Sequence, residues 1–198
     1  MNFNKLFKAA LRRLGIWWEE YYILQTDINI DIINNKFSLL SEKIPHKITR
    51  LSYDDFLKGD KKFYTNKKLL KYKKWLIDNN REAYGIIIDN ELAYSSWICF
   101  DKIELTNKTS LKNYENAALL QDAYCNSKFR GQGFHNYVNI FRLKTIYDRG
   151  IKTAIGIVRK TNLPALKVQK NSTLIITDSI ILISLFGKEF IKSTKYDS

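Results

Sequence analysis

The spacing of hydrophobic and polar residues changes repeatedly along the chain, and each change marks a predicted boundary between elements. Helical spacing recurs in four segments, which are residues 3–18, 66–78, 133–149 and 162–171. Apolar runs typical of strands occupy seven other segments, which are residues 21–30, 47–56, 82–89, 91–101, 116–126, 152–158 and 174–186. Asp89 and Asn90 separate two of these runs and favour a tight hairpin turn.

This order of elements predicts an α/β domain with a mixed β-sheet. A short helix is expected to begin near Asp54 or Asp55, Gly150 suits a left-handed helix end, and Pro164 suits a first helical turn. The clearest predicted boundary lies near residue 45. It separates an N-terminal amphipathic helix and arm, residues 1–45, from the domain that carries the candidate catalytic residues, residues 46–198.

The N-terminal segment predicts a basic amphipathic helix that ends at Gly15 or slightly later. Its apolar positions, which include Phe3, Phe7 and Trp17, alternate with lysine and arginine, and no acidic residue precedes Glu19. Such a helix can lie at a membrane interface, with its cations toward anionic lipid. The alternative is a helix that packs on its own domain or on a partner subunit.

The net charge of +13 favours anionic partners. The cations are 25 lysines and only 8 arginines, and seven of the fourteen residues in 61–74 are lysine. Scattered lysine is a weak indication of nucleic-acid binding, for which clustered arginine is the sharper sign. The lysine-rich segment is therefore expected to be a solvated helix face or a cationic rim over an anionic substrate.

Two cysteines and two histidines limit the metal and redox chemistry. Cys99 and Cys125 lie in apolar runs and are expected to be buried thiols, which fits a reducing cytosol. His46 and His135 show no metal-ligand spacing, so no metal is expected. No segment resembles a membrane span or a signal peptide.

Two glycines stand close together in the segment RGQGFH, residues 130–135, in a chain with only 8 glycines. A strand is predicted before this segment and a helix after it. Glycines let the backbone turn sharply and expose successive N–H groups, and the helix start adds unpaired donors and a positive dipole end. The arrangement suits a pyrophosphate, although a glycine turn before a helix is by itself a weak signal.

Two segments together strengthen this interpretation, because they resemble the GNAT acetyltransferase superfamily. YCNSKFRGQGFH, residues 124–135, is similar to the family's fourth strand and its R-x-x-G-x-G/A loop. RGIKTAIGIVRKTNLPALKVQK, residues 149–170, is similar to the fifth strand and the following N-x-x-A helix. The resemblance implies a GNAT-like mixed, splayed sheet flanked by helices, with acetyl-CoA as cosubstrate.

The resemblance also implies which residues hold the cosubstrate. Backbone groups near Tyr124, Cys125 and Asn126 would pair with the pantetheine arm, and the amide of Cys125 would polarise the thioester carbonyl, so Cys125 is not a nucleophile. The pyrophosphate would bind the loop, which consists of Arg130, Gly131, Gln132, Gly133, Phe134 and His135. Asn162 and Ala165 would line the far side of the arm.

Two positions depart from the family pattern. His135 stands where the loop normally ends in glycine or alanine; phosphate binding survives if the ring points outward, and the cradle is blocked if the ring fills it. Gln169, beside Lys170, replaces a tyrosine that many members use to protonate the leaving thiolate. General acid catalysis typically contributes ~10²–10⁴-fold, and water, Lys170 or Tyr124 could substitute.

The resemblance implies a base on the fourth strand, where family members often have a carboxylate or a water chain leading to one. Asp122 is the expected base, because it is the only acidic residue in 117–130. Alternation places it on the same strand face as Tyr124 and opposite Cys125. The alternative is a solvent-facing carboxylate. Glu91 and Asp101 flank the preceding strand and are the second choices.

These observations predict an N-acetyltransferase that transfers the acetyl group by direct attack of an amine. A cationic wall favours an anionic acceptor, such as an amino sugar or nucleotide-sugar of polysaccharide synthesis. A protein acetyltransferase, a non-catalytic scaffold and a nucleic-acid-binding module are the alternatives, of which the last is disfavoured by the scattered lysines. The protein is expected in the cytoplasm. A peripheral membrane contact through residues 1–18 and the formation of a homodimer are both compatible with the sequence.

Overall fold

A computed structural model describes residues 10–112, 114, 116–169 and 173–196 of the 198-residue chain. Ten strands are described: β1 (Ile16–Asp27), β2 (Thr49–Arg50), β3 (Arg81–Ile88), β4 (Glu91–Cys99), β5 (Ile103–Glu104), β6 (Ser110–Leu111), β7 (Ala117–Cys125), β8 (Thr153–Arg159), β9 (Ile175–Leu185) and β10 (Lys188–Lys195). Five helices are described: α1 (Ile30–Lys43), α2 (Tyr53–Leu57), α3 (Asn66–Ile77), α4 (Phe134–Asp148) and α5 (Leu163–Gln169). The predicted α/β class is confirmed.

The chain divides into two compact units, each of which is built from more than one segment of the sequence. The central unit comprises Asp27–Ile103 and Lys112–Ala154. The terminal unit comprises Met1–Thr26, Glu104–Leu111 and Ile155–Ser198, as far as these ranges are described. The first strand therefore belongs with the last part of the chain.

The central unit is a sheet in the order β7-β4-β3-β2 with helices on both faces. Successive residues of a strand point to opposite faces, and Ala83 and Tyr84 show this in β3. Ala83 joins the core beneath α2 and α3, where Phe56 stacks on Trp97 with ring centroids 5.5 Å apart. Tyr84 instead contacts Phe141 of α4 with ring centroids at 5.1 Å.

Local sequence signals explain how several elements of the central unit begin and end. Asp89 and Asn90 have φ of 48° and 62°, which is the hairpin turn that the sequence predicts. Ser52 begins α2 through a capping box with Asp55, close to the predicted start. Gly150 follows α4 with φ of 79°, so the predicted left-handed helix end is confirmed.

The helix α1 was not predicted, although its start carries a recognisable signal. The side chain of Asn29 accepts hydrogen bonds from the N–H groups of Asp31 and Ile32, at 3.1 and 3.2 Å. Phe37 of α1 stacks on Tyr137 of α4 with ring centroids 5.5 Å apart. This contact holds α1 against the helix that follows the glycine loop.

The terminal unit is a sheet in the order β10-β9-β1-β8. β1 pairs antiparallel with β9, from Ile16 opposite Leu185 to Gln25 opposite Ile175. The prediction that Trp17 and Trp18 end a helix is wrong, because both lie in β1. Residues 10–13 form a last helical turn, and Gly15, with φ of 75°, ends it as predicted. Residues 3–9 of the predicted helix lie outside the described residues.

None of the helices in the described part of the chain has the length and apolar character that a bilayer crossing requires.

Candidate functional site: the glycine loop and the end of β7

The loop between β7 and α4 has a backbone that requires its two glycines. Gly131 and Gly133 have φ of 83° and 78°, a region that residues with a side chain rarely adopt. A Cβ atom added to Gly131 would meet no atom within 4 Å, and one added to Gly133 would meet only Ile44, at 3.4 Å. The loop therefore has open space on its surface at both positions.

The start of α4 is uncapped. Gly133 occupies the N-cap position and no side chain caps the helix there. The first backbone bond of the helix runs from the N–H of Tyr137 to the carbonyl of Gly133, at 3.1 Å. The N–H groups of residues 134–136, which come before Tyr137, therefore have no partner within the helix. They belong to its first turn, where the helix dipole favours an anion. The predicted strand–loop–helix geometry is present.

The end of β7 directs one backbone amide away from its neighbouring strand. The N–H of Asn126 donates to the carbonyl of Ala93 at 2.9 Å, so these two residues form a hydrogen-bonded pair of the antiparallel ladder. The adjacent pair, Cys125 and Tyr94, is then of the other type, whose N–H groups point outward. The amide of Cys125 therefore points away from β4, and its role toward a thioester stays a prediction.

The thiol of Cys125 has no features of a nucleophile. Burial raises the pKa of this thiol above its usual value, and the sulfur lies 3.7 Å from the carbonyl oxygen of Asn126. The carbonyl of Cys125 accepts a hydrogen bond from Nε of Arg130 at 3.3 Å. The arginine that begins the glycine loop is thus anchored to the end of β7.

Tyr124 is held in place by contacts from the segment between α2 and α3. Its hydroxyl donates to Oδ2 of Asp60 at 2.6 Å, and its ring stacks on Phe63 with centroids 3.6 Å apart. Burial and the hydrogen bond to Asp60 raise the pKa of Tyr124 to about 12. The phenol is therefore protonated at neutral pH and is a weaker acid than a free tyrosine.

Asp122 lies at a β-bulge and pairs with two lysines of α3. Two residues of β7, Asp122 and Ala123, face one residue of β4, and φ of Asp122 is 49°. Its two carboxylate oxygens lie 3.1 Å from Nζ of Lys68 and 3.2 Å from Nζ of Lys71. Burial raises the pKa of this carboxyl, but the two lysines outweigh burial, and the net pKa is below the usual value. Asp122 is thus an ionised, paired carboxylate in this structure.

The imidazole of His135 turns toward the sheet. Its Nδ1 lies 3.0 Å from the hydroxyl oxygen of Tyr94, and its Nε2 is buried without a hydrogen-bond partner among the described residues. Burial, followed by the charge of Arg142, lowers the pKa of His135 to about 4, so the ring is neutral at pH 7. The ring is not among the atoms near the added Cβ positions at Gly131 and Gly133. It therefore leaves those two points of the loop surface open.

Asn162 and Ala165 form the start of α5 in the terminal unit. The Oδ1 atom of Asn162 accepts a hydrogen bond from the N–H of Ala165 at 3.3 Å, and Pro164 occupies the first turn as predicted. The second-choice bases are engaged elsewhere: Glu91 pairs with Lys128 at 2.7 Å, and Asp101 accepts from the thiol of Cys99 at 3.1 Å. The side chain of Gln169 and all of Lys170 lie outside the described residues.

The sequence did not single out Asp60, Lys68 or Lys71 as individual site residues. The lysine-rich helix was predicted only as a solvated face or a cationic rim. The spacing of Lys68 and Lys71, at i and i+3, does place them on one helix face. Their partner Asp122 follows 51 residues after Lys71, so the contact itself carries no local sequence signal. Among the described residues, no group of three or more His, Cys, Asp or Glu side chains could hold a metal ion.

The central unit thus combines a bulged strand, a turn with two positive-φ glycines and an uncapped helix start. No protein-family model matches the chain, and no curated protein is similar to it in sequence. Solved structures, however, share its fold.

Three of these structures illustrate the fold. A functionally unknown conserved protein from Staphylococcus epidermidis is 13% identical with a TM-score of 0.57, over 93% of this chain and 68% of that one. An acetyltransferase assigned to the GNAT family, from Novosphingobium aromaticivorans, is 12% identical with a TM-score of 0.53, over 92% and 67%. The aminoglycoside 6'-N-acetyltransferase AAC(6')-Ih from Acinetobacter baumannii is 11% identical with a TM-score of 0.52, over 63% and 87%. The chain has the fold of the GNAT acetyltransferases.

Proposed function

We propose that the protein is an acetyl-CoA-dependent N-acetyltransferase. The observation that carries the proposal is the pair of left-handed glycines at an uncapped helix start, directly after a strand whose outward amide belongs to Cys125. A diphosphate fits the first feature and a thioester carbonyl fits the second. The GNAT-like fold supports the same activity.

The residues of the loop would bind the cosubstrate through its phosphates. Backbone N–H groups of residues 131–135 supply hydrogen bonds, and Arg130, which is exposed, supplies a positive charge. The backbone near Tyr124, Cys125 and Asn126 would pair with the pantetheine arm in the manner of an added strand. The amide of Cys125 would stabilise the negative charge that develops on the carbonyl oxygen.

Tyr124 and Asp122 would handle the two protons of the reaction. The amine attacks the carbonyl carbon, a C–N bond forms, the C–S bond breaks, and the thiolate takes up a proton for which Tyr124 is the proposed donor. Asp122 is the proposed group toward which the amine's proton moves. An acceptor anion that takes over Lys68 or Lys71 would weaken the ion pairs of Asp122, which raises its pKa and makes it a better base.

The acceptor is proposed to be an anionic amino sugar or nucleotide-linked amino sugar. Lys68 and Lys71, which contact Asp122 near the end of β7, supply the positive charge. A polycationic aminoglycoside, the substrate in the name of one structural neighbour, would be repelled by these lysines and by the net charge of +13. A protein amine is the second candidate acceptor, and a scaffold without turnover is the alternative from another class.

The activity is tested by thioester consumption with acetyl-CoA and three acceptor sets: nucleotide-linked amino sugars, simple amines and peptides. Turnover is expected with the first set and little turnover with the others. Turnover only with peptides would establish the protein acetyltransferase instead. CoA binding without turnover of any acceptor would favour the scaffold.

We further propose that the enzyme works in the cytoplasm and contacts anionic membrane through its basic N-terminal segment. This location would place it beside lipid-linked precursors of polysaccharides. The proposal is supported by the cations Lys5, Lys8, Arg12 and Arg13 of that segment.

A further inference from the structure

The central unit contains a cavity of about 550 Å³ at the end of the sheet remote from the glycine loop. Its wall is formed by the short strand β2, the last turn of α3 and the first residues of β3. The residues that determine its chemistry are Arg50, Tyr53, Lys73, Ile77, Arg81 and Glu82. A cavity of this volume accepts a small organic molecule.

Strand register separates this cavity from the proposed acetyl-transfer site. Arg81 of the cavity is opposite Cys99 of β4, whereas Cys125 at the glycine loop is opposite Tyr94 of β4. Five residues of one strand span about 17 Å. A ligand in this cavity therefore does not reach an acyl group held at Cys125, and the cavity is a site of its own.

The charges around the cavity are positive in excess. Oε1 of Glu82 accepts from both Arg50 and Arg149, at 3.0 and 2.8 Å, and Oε2 accepts from the hydroxyl of Tyr84 at 2.8 Å. Both oxygens of this carboxylate are thus engaged with donors. Glu82 therefore does not favour a cationic ligand.

Arg81 and Lys73 add two further cations. The guanidinium of Arg81 is held by two contacts. Its Nε binds Asp78 at 3.0 Å, and its Cζ lies 4.7 Å from the ring centroid of Trp75. Lys73 has no carboxylate partner among the described residues, and its Nζ lies 5.8 Å from the ring of Tyr53. Of the three cations that line the cavity, Arg50 pairs with Glu82 and Arg81 pairs with Asp78, so Lys73 supplies the excess positive charge.

The remaining wall is apolar. Leu76 and Ile77 of α3 line the cavity, and the side chain of Ile77 is 76% exposed. An exposed aliphatic side chain next to the positive charge of Lys73 suits a ligand with a charged head and an apolar body. Two planar guanidinium groups and a lysine offer several N–H donors, which the oxygens of a phosphate group can accept.

We propose that this cavity binds a phosphate monoester with a small apolar body, as a second site independent of acetyl transfer. Lys73 and Arg50 contact the phosphate oxygens, Arg81 contributes its fixed charge, and Tyr53 and Ile77 contact the apolar body. The bound phosphate is either that of a soluble metabolite or that of a lipid headgroup.

Calorimetric titration at constant ionic strength with phenyl phosphate tests the site. Lys73→Gln is expected to weaken binding about tenfold, because a charge-assisted hydrogen bond is lost. Lys74→Gln removes the same charge from the next residue of α3, which does not line the cavity, and is expected to change little. Equal losses in the two variants would show binding by net charge alone and would overturn the proposal.

The apolar wall has a separate test. Ile77→Ser is expected to weaken the binding of phenyl phosphate and to leave the binding of inorganic phosphate unchanged. Equal affinity of the unmodified protein for both anions would refute the proposal that the ligand is a phosphate monoester with an apolar body. Vesicles that contain phosphatidic acid distinguish a lipid headgroup from a soluble metabolite as the source of the phosphate group. If the vesicles retain the protein only when Lys73 is present, and phenyl phosphate binds weakly, the site is assigned to lipid. Because CoA binding should be intact in Lys73→Gln, failure of this site and failure of the acetyltransferase proposal are distinguishable.

Discussion

Tyr124 and Asp60 are joined by a hydrogen bond of 2.6 Å across 64 residues of sequence. Tyr124→Phe removes the hydroxyl and keeps the ring that stacks on Phe63. If the phenol protonates the leaving thiolate, kcat should fall about 10²-fold while CoA affinity stays the same. Tyr64→Phe, which removes a buried hydroxyl bound to Ser95, is the control for a structural effect on the same aromatic cluster. An unchanged kcat in Tyr124→Phe removes the phenol from the mechanism.

The glycine loop predicts a specific loss of CoA binding. CoA should raise the Tm of the unmodified protein, and Gly133→Asp should abolish that shift because a carboxylate would face the phosphates. Gly150→Asp is a matched control, since Gly150 has nearly the same φ, 79° against 78°, but lies at the other end of α4. Both variants place a side chain at a positive φ, and only Gly133→Asp should lose the rise in Tm on CoA binding. A full shift in Gly133→Asp would contradict the loop assignment.

Asp122 predicts effects on both rate and stability. Asp122→Asn should lower kcat and leave CoA affinity nearly intact. It should also lower the free energy of unfolding at pH 7 by about 1–3 kcal/mol, because Lys68 and Lys71 lose their carboxylate. Kinetics at saturating CoA and urea denaturation measure the two effects. A normal kcat with reduced stability would leave Asp122 a purely structural role.

The lowered pKa of Asp122 fixes the sign of its pH dependence. The unfolded carboxyl has a pKa of about 3.9, and the folded one lies lower. Its stabilisation is therefore present above pH 4 and is lost as the pH falls through the folded pKa. Compared with the unmodified protein, Asp122→Asn should show a shallower loss of stability in this acid range.

His135 predicts a second pH dependence, at higher pH. Its folded pKa of about 4 lies below the unfolded value of about 6.5, so the unfolded state binds a proton first. Stability from this group is present above pH 6.5 and is lost as the pH falls toward 4, by at most about 3 kcal/mol. In His135→Gln, the free energy of unfolding, measured by urea denaturation, should change less between pH 6.5 and 4 than it does in the unmodified protein. An equal slope in both proteins would show that the ring is solvated.

The N-terminal segment predicts membrane retention. Deletion of residues 1–9 should release the protein from anionic liposomes, and neutral liposomes should retain neither form. The deletion stops before Arg12, which pairs with Glu19 at 2.9 Å, and before β1, whose residues pair with β9. Cosedimentation measures the retention. If the full-length protein does not bind anionic liposomes, the proposed membrane contact is wrong.

Local backbone requirements were predictable from sequence, and contacts between distant side chains were not. Gly131, Gly133 and Gly150 occur where the chain needs a positive φ, and Pro164 occurs where a missing N–H has no cost. The ion pairs of Asp122 and the hydrogen bond from Tyr124 to Asp60 join residues 51 to 64 positions apart. No periodicity records such a pairing, so the sequence carries no signal of the two lysines that lower the pKa of Asp122.

The N-terminal error has a physical reason of its own. Trp17 continues the helical spacing of the preceding apolar residues, and this spacing extends the predicted helical segment to residue 18. Gly15 ends that helical turn, and the strand that follows is stabilised by β9. Tertiary pairing with a segment about 160 residues away thus overrides the local pattern.

The pairing of β1 with β9 also sets the order in which the protein can be made. Ile16 leaves the ribosome long before Leu185, its partner in β9, is synthesised. The nascent chain must therefore carry the aromatic-rich strand β1 without its antiparallel partner until β9 has been made, and such strands recruit chaperones or aggregate. Premature termination anywhere before residue 175 would leave this strand without its partner, so truncated translation products should be insoluble.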